Sequence, residues 1–423
     1  MKKHRILVMS HAHPDFSLGG GEIAAYNLFK AYKNNPDVDD AWFLARFDRQ
    51  HGANGTISKR RDNEYLWEQG VSDWHYMKAG HLESITTWFA DLIRGTKPTV
   101  VHTHHYAHLG LEYLQIIKQI DPRIRIVLTL HEYMAICSNN GQMIKVGSMN
   151  LCSRSSPDEC RQCFPDRSTE DHWLRKHRFI RYFDLVDQFV SPSEFLRQRY
   201  IDWGIYPEKI IVIENGQSAT PPQPPRLAPE GTPRNRFGFY GQINPYKGLD
   251  VLLEAIHRMT VDERKSIALE VHGANLESQS QEFRQKIETL LKPLVEQGTV
   301  QLMGPYQPHE LRNRMDNVDW VCVPSVWWEN SPMVIQEAFS NGRPLLVSNI
   351  GGMAEKVRHE VDGLLVPAGN AWAWSTALLR SGHDPKLFTQ CHDGIRRPLS
   401  HDECATLHLQ SMPPHSATRN APA

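Results

Sequence analysis

No apolar run in the 423-residue chain approaches the ~18 residues that a membrane-spanning helix requires. The basic residues in Met1–Ser10 precede an apolar run of only a few residues, which reads as a first strand rather than a secretory leader. An excess of one charge is also lacking. The 47 Lys and Arg nearly balance the 48 Asp and Glu, for a formal net charge of -1. That excludes the strong basic bias of a dedicated nucleic-acid binder. Cysteine is scarce, with seven in all. Without an export signal the expectation is a cytoplasmic, reducing setting, where clustered cysteines suggest a metal rather than disulfides. What is present is an ordinary soluble composition, 40% apolar and 22% charged. The length suits about two or three domains, each with a sizeable core.

The first half alternates short apolar runs with helical patterns. Arg5–Met9, Ala41–Leu44, Val100–His102, Ile124–Leu130 and Gln188–Val190 read as strands. Gly21–Lys30, Leu82–Ile93 and Leu111–Ile120 read as helices. Strands apolar throughout, separated by helices, imply a parallel sheet covered on both faces. Six prolines then fall in Ser218–Pro233, a density that forms neither helix nor sheet. After them the alternation restarts, with strands at Arg236–Gly241, Ala268–His272, Val300–Met303, Trp320–Val323, Leu345–Val347 and Leu364–Val366 and a helix at Leu249–Met259. The expected layout is an N-terminal α/β domain over 1–215, a Pro-rich linker over 216–235, a second α/β domain over 236–385 and a C-terminal tail over 386–423. The tail, Pro-, His- and Ser-rich after about Ser400, is expected to be disordered. Ligands of such sheets bind outside the carboxyl ends of the strands, so the cleft between two facing sheets is the expected site.

The most informative stretch is PSVWWENSPMVIQEAFSNG at Pro324–Gly342. It follows a strand. Ser331 suits a helix N-cap and Pro332 the first helical position. The first-turn N–H groups, contributed from Met333 and Val334 on, and the positive end of the helix dipole favour an anion. Glu329 precedes the helix, and Glu337 lies roughly 8 Å further along it at ~1.5 Å per residue. One carboxylate is thus placed for a sugar hydroxyl and the other for a ribose diol. Taken alone, the pair also fits an ordinary capped helix. Two further stretches accompany it, FYGQINPYKGLDVLLEAI at Phe239–Ile256 and NIGGMAEKVRHEVDGLLVPAGN at Asn349–Asn370. Together with the Glu-x7-Glu spacing of Glu329 and Glu337, these resemble glycosyltransferase family 4. The resemblance runs in order from the first Gly-rich loop to about Asn370.

It implies a GT-B fold, two Rossmann-like α/β domains whose parallel sheets face each other across a cleft. It also implies a retaining transferase that takes a sugar from a nucleotide-diphosphate donor, UDP- or GDP-linked. A saccharide or lipid-linked acceptor, in polysaccharide or glycolipid synthesis, would receive it. The donor set carried over is Gly241, Gln242, Lys247, Asn330, Ser331, Pro332, Met333, Val334 and Glu337, with Lys247 on the diphosphate and Glu329 on the sugar. The family often has arginine where this chain has Gln242, and the exchange removes one positive charge and bidentate phosphate geometry. In HAHPDFSLGGGE at His11–Glu22, the triple glycine before a helix lacks the full dinucleotide fingerprint. By resemblance, Gly20 and Gly21 face the donor phosphates and the acceptor. His131 ends a strand and is followed by Glu132 where relatives of this stretch have Asp. Its implied role is near the transferred sugar rather than as nucleophile. His102, His104 and His105 end another strand and are candidates for the acceptor side. No catalytic metal and no nucleic acid is expected. Two other readings use the same fold: a nucleotide-binding scaffold without turnover, which Gln242 favours, and a nucleotide-sugar epimerase.

Two features stand outside that motif set. Cys137, Cys152, Cys160 and Cys163 form C-x14-C-x7-C-x2-C in a polar loop over 132–170. Four thiolates match a closed structural zinc site; an iron–sulfur cluster and plain cysteines in a loop are the alternatives. Cys322, in a strand, reads as core. HWLRKHRFIRYF at His172–Phe183 is a basic amphipathic helix, suited either to packing with a solvated basic face or to peripheral contact with the inner face of a membrane.

Overall fold

The computed structural model of the chain describes residues 3–17, 19–47, 55–229 and 231–412. The chain divides into two compact units. Unit 1 takes in Met1–Gly216 and Leu399–Ala423, and unit 2 takes in Gln217–Pro398.

Unit 1 is built on an eight-stranded sheet. Its elements begin with β1 (His4–Ser10), helix α1 (Gly20–Asn34), β2 (Val38–Phe47), β3 (Ile57–Arg61) and β4 (Glu64–Glu68). A separate hairpin follows, β5 (Val71–Asp73) with β6 (Lys78–Ala79). Then come β7 (Val100–Thr103), α2 (Glu112–Ile120), β8 (Arg125–Thr129), α3 (Pro157–Cys163), α4 (Thr169–Phe183), β9 (Gln188–Ser191) and β10 (Ile210–Val212). The strand order is β10-β9-β8-β7-β1-β2-β4-β3. Only β3 runs antiparallel to its neighbour. The order reverses at β1, which lies between β2 and β7. β3 and β4 are absent from the sequence reading. β3 is nearly all polar, ISKRR, and its Lys and Arg sit on a sheet edge, where charge discourages pairing with other chains.

Unit 2 contains β11 (Arg236–Gln242), α5 (Leu249–His257), β12 (Ala268–Ala274), α6 (Gln281–Glu296), β13 (Val300–Leu302), β14 (Trp320–Val323), α7 (Met333–Ser340), β15 (Leu345–Ser348), α8 (Gly351–Lys356), β16 (Gly363–Val366), α9 (Ala371–His383) and α10 (Pro385–Asp393). Its six strands are all parallel in the order β13-β12-β11-β14-β15-β16, with the reversal between β11 and β14. β14 and β15 are buried throughout, as strands covered on both faces must be. One apolar cluster joins α5, α6 and α9 to the sheet through Leu252, Ile256, Ile287 and Trp374. A second joins α7 and α8 to it through Ile335, Phe339 and Met353.

One expectation, that of the tail, is corrected. The Pro-rich stretch is extended as expected and forms a strap fastened to unit 2. Arg312 and Arg343 donate to Pro221 O at 3.0 Å and Pro224 O at 2.8 Å, and Arg226 pairs with the fully buried Asp319 at 3.0 Å. The tail is not disordered through 401–411. Ser400 and Glu403 form a capping box that starts α11 (His401–Ser411), which buries Cys404, Ala405 and Leu409 against Leu28, Ala31 and Tyr32 of unit 1. The rest of the expected tail, 413–423, lies outside the described residues.

Candidate functional site

In unit 2 the chemistry gathers where the strand order reverses, at the carboxyl ends of β11 and β14. Gly241, next to last in β11, has φ +142 and open space where a Cβ would stand. In the loop that follows, Asn244 Oδ1 accepts from the amides of Tyr246 at 3.0 Å and Lys247 at 3.2 Å. Gly248, at φ +70, closes the loop against β14, since a Cβ there would fall 2.0 Å from Pro324 O. This turn delivers Lys247, whose Nζ reaches Glu329 Oε1 at 2.6 Å. Ser325 Oγ donates to the same oxygen at 2.9 Å. Glu329 is buried. Burial alone raises its pKa, but the Lys247 charge and the hydrogen bonds from Lys247 and Ser325 outweigh that and hold it below the usual range.

The backbone beside Glu329 is held from α8. The Gly352 amide donates to Glu329 O at 2.7 Å, and a Cβ on Gly352 would fall 1.7 Å from Asn330 O. Ser331 is not the N-cap. Pro332 occupies that position with extended geometry, φ -64 and ψ 123, so the helix begins one residue later than expected, at Met333. The Ser331 hydroxyl is buried without a hydrogen-bond partner. The start of α7 therefore has no side-chain cap, which leaves its first turn to an outside acceptor. Glu337, half-buried on α7, has its carboxyl pushed up to about 7 by burial. Gln242 is exposed at the end of β11. Trp327 packs on Tyr246, with ring centroids 5.4 Å apart.

Unit 1 has its own reversal point, between β1 and β7. α1 starts beyond β1 at the exposed Gly20, again without a side-chain cap. Gly21 faces His131, and a Cβ there would lie 3.5 Å from its ring. His131 Nε2 is 3.0 Å from His104 Nδ1. Desolvation and the neighbouring His11 push the His131 pKa down to about 4, against the pull of Glu22. Glu22, bonded to Ser17 at 2.6 Å and paired with His11 at 3.4 Å, is lowered to about 2 despite its burial. His102, His104 and His105 are all buried. His11, Glu22, Ser325 and the Gly351–Gly352 pair carry no assigned role in the sequence reading. Their signal was position, within two residues of a strand end or of a helix start.

The four cysteines line a separate small cavity in unit 1, and Cys322 is core. On α4, Arg175 is buried and Arg178 is tied to Glu112, while Trp173 and Leu174 are half exposed. Beside them a groove of about 580 Å³ is lined by Tyr76, Lys78, His177, Arg178, Arg181 and Tyr182, among others.

Residues 18–218 match the family model described as Glycosyltransferase Family 4, and residues 227–397 match the model described as Glycosyl transferases group 1. Each unit thus matches a glycosyltransferase family model of its own. A D-inositol 3-phosphate glycosyltransferase of Rhodococcus opacus is 32% identical over 201 residues, covering 46% of this chain and 44% of that protein. An uncharacterized glycosyltransferase of Methanocaldococcus jannaschii is 28% identical over 171 residues, 40% of this chain and 42% of that one. The chain spans about half the length of the curated relatives it matches. Among solved structures, Anabaena HepE in complex with UDP aligns with a TM-score of 0.67 at 15% identity, over 96% of this chain and 99% of that one. Sucrose-phosphate synthase of Thermosynechococcus elongatus aligns with 0.68 at 16%, over 96% and 98%. At such identities the likeness is one of fold, and that fold is GT-B, two α/β domains with parallel sheets.

Proposed function

We propose that the chain is a retaining glycosyltransferase that moves a hexosyl group from a UDP- or GDP-linked sugar to a saccharide or lipid-linked acceptor, in polysaccharide or glycolipid synthesis. The observation that carries this reading is the Lys247–Glu329 pair at the strand-order reversal of unit 2, beside the uncapped start of α7. The first turn of α7 and Lys247 bind the donor diphosphate and neutralise the charge that develops as it leaves, usually the largest catalytic contribution. Glu329 holds a hydroxyl of the transferred sugar, and Glu337 the ribose diol. Gly20 and Gly21 let the backbone approach the phosphates, and His131 holds a sugar hydroxyl. The acceptor oxygen attacks the anomeric carbon on the face that the diphosphate leaves. The new C–O bond forms as the C1–O–phosphate bond breaks, its electron pair passes to the diphosphate, and a diphosphate oxygen takes the acceptor proton. This reading calls for no catalytic divalent metal, because Lys247 and the helix start supply the positive charge. The groove beside α4, with Lys78 and Arg181 next to the exposed Trp173 and Leu174, supports peripheral contact with an anionic membrane face when the acceptor is lipid-linked.

The test is thermal stabilisation by UDP-, GDP-, ADP- and TDP-sugars, with a parallel set in EDTA. Donor at 100 times its dissociation constant adds about 2.7 kcal/mol. A shift with one nucleotide, unchanged by EDTA, is expected. No shift with any of them overturns the donor site and leaves a scaffold protein.

A further inference from the structure

The segment after His131 carries a second cluster, remote in sequence from the donor motifs. Tyr133–Cys137 forms a turn in which the Cys137 amide donates to Tyr133 O at 2.8 Å. An antiparallel bridge between Ile144 and Leu151 folds the next stretch back on itself and returns Cys152, whose amide bonds Met143 O at 2.8 Å. Ser156 then caps α3, and that short helix presents Cys160 and Cys163 one turn apart. All four sulfur-bearing side chains line one cavity of about 20 Å³, room for roughly one water-sized sphere. Cys160 lies within electrostatic reach of the other three. No disulfide joins any of them.

A second observation points to negative charge at this place. Arg175 of α4 is buried, and its guanidinium donates to the carbonyls of His75, Ala135 and Met134. Among the described residues no carboxylate pairs with it within salt-bridge distance. A buried cation without a counter-charge is costly. Arg175 does lie within electrostatic reach of Cys137 and Cys160, and of Glu132, whose carboxyl burial pushes up to about 7; Lys145 lies within reach of Cys152. As reduced thiols the four do not yet make a ligand set: among the described residues no three His, Cys, Asp or Glu side chains are placed to hold an ion together.

We propose that Cys137, Cys152, Cys160 and Cys163 close on a single zinc ion as a structural tetrathiolate site, with Arg175 as its buried counter-charge. Zinc takes four thiolates tetrahedrally at ~2.3 Å, so binding requires the four side chains to turn inward toward the cavity they line. Each thiol gives up its proton to solvent on binding. The resulting site carries two net negative charges, which Arg175 and Lys145 balance. The four-ligand set leaves no open position, so the ion ties the turn, the folded-back stretch and α3 together and does no chemistry. The proposal stands independently of the sugar-transfer reading.

The experiment is metal analysis of the full-length protein, purified without chelator or a metal-binding tag, combined with thiol titration. About one zinc per chain is expected, with the four thiols unreactive until a chelator strips the metal. Cobalt(II) added to stripped protein should give tetrahedral thiolate absorption bands. Cys160→Ser should lower zinc content at least ~10-fold. Loss of zinc in that variant does not separate a lost ligand from a lost fold, so the decisive arm is the unaltered chain. Stripped protein that takes up neither zinc nor cobalt, with all four thiols reactive, overturns the proposal. So does iron with acid-labile sulfide in place of zinc.

Discussion

Lys247 Nζ stands 2.6 Å from Glu329 Oε1, in a loop whose course is set by Gly248 lying against Pro324. Breaking a buried pair from one side leaves a bare charge, at a cost of about 3–5 kcal/mol. Lys247→Met should therefore lower the melting temperature of unit 2 at pH 7.5, and adding Glu329→Gln should restore much of it. The Glu329 carboxyl is held below its usual range, so its contribution is complete above the unfolded value of about 4.3 and is lost as pH falls through the folded one. The gap between wild type and Lys247→Met should thus narrow in acid. Calorimetry at pH 7.5 and pH 4 checks both points, and an equal gap at the two would refute the pairing.

Glu329→Gln keeps the shape of the side chain and a hydrogen-bonding group for Ser325 but removes the carboxylate. Sugar transfer should fall at least ~100-fold, as for a contact strengthened in the transition state. Circular dichroism should stay close to wild type, while melting falls by less than in Lys247→Met, because the charge left unpaired is on Lys247, the more exposed partner. An unchanged turnover would remove Glu329 from the donor sugar.

Glu337 shifts in the opposite sense. Its carboxyl is raised to about 7 by burial, so the folded state holds a proton that the unfolded chain gives up above about pH 4.3. The stability of wild-type unit 2 should decline as pH rises from about 4.3 to 7 and then level off. Glu337→Gln removes that decline. Discounted for the partial exposure of the side chain, the gain at pH 8 is on the order of 1 kcal/mol, about 2–4 °C in melting temperature. Nucleotide affinity should fall in the same variant, because the ribose loses its acceptor. A variant with wild-type pH dependence would count against a buried, protonated Glu337.

Unit 1 should be acid-sensitive. Burial holds His102, His104, His105, His131 and His408 below the ordinary imidazole value, with His131 at about 4 and His408 at about 3. Each stays neutral when folded and takes a proton when unfolded. The stability they contribute is full above pH ~6.5 and is lost progressively as pH falls toward the folded values. The unit 1 transition should move down between pH 7 and pH 5, and His408→Phe should lessen that slope. A flat profile would show that these rings are solvated.

The parallel strands could be read from sequence because buried strands are apolar along their whole length, as in Trp320–Val323 and Leu345–Ser348. Lys247, Glu329 and Glu337 were visible as a motif, but their pairing was not, since it depends on a turn closed by Gly248 and a helix end 82 residues away in sequence. β3 escaped notice because its residues are polar, and an edge strand needs no apolar face. α11 did carry a local signal, the capping box of Ser400 and Glu403, but its apolar face is completed only by Leu28 and Tyr32 of α1. The Pro-rich strap lacks regular structure, as proline dictates, yet its order comes from arginines far along the chain.

Because α11 belongs with α1, the order of synthesis and the order of assembly differ. A ribosome finishes the whole of unit 2 before it delivers the segment that covers Leu28, Ala31 and Tyr32. N-terminal domains commonly fold first as the chain emerges. Here the nascent unit 1 waits with that apolar face open through some 180 residues of further translation, from Gln217 to Pro398. At ~5–20 residues per second the wait lasts on the order of 10 to 40 seconds, a window in which a chaperone has a defined surface to hold.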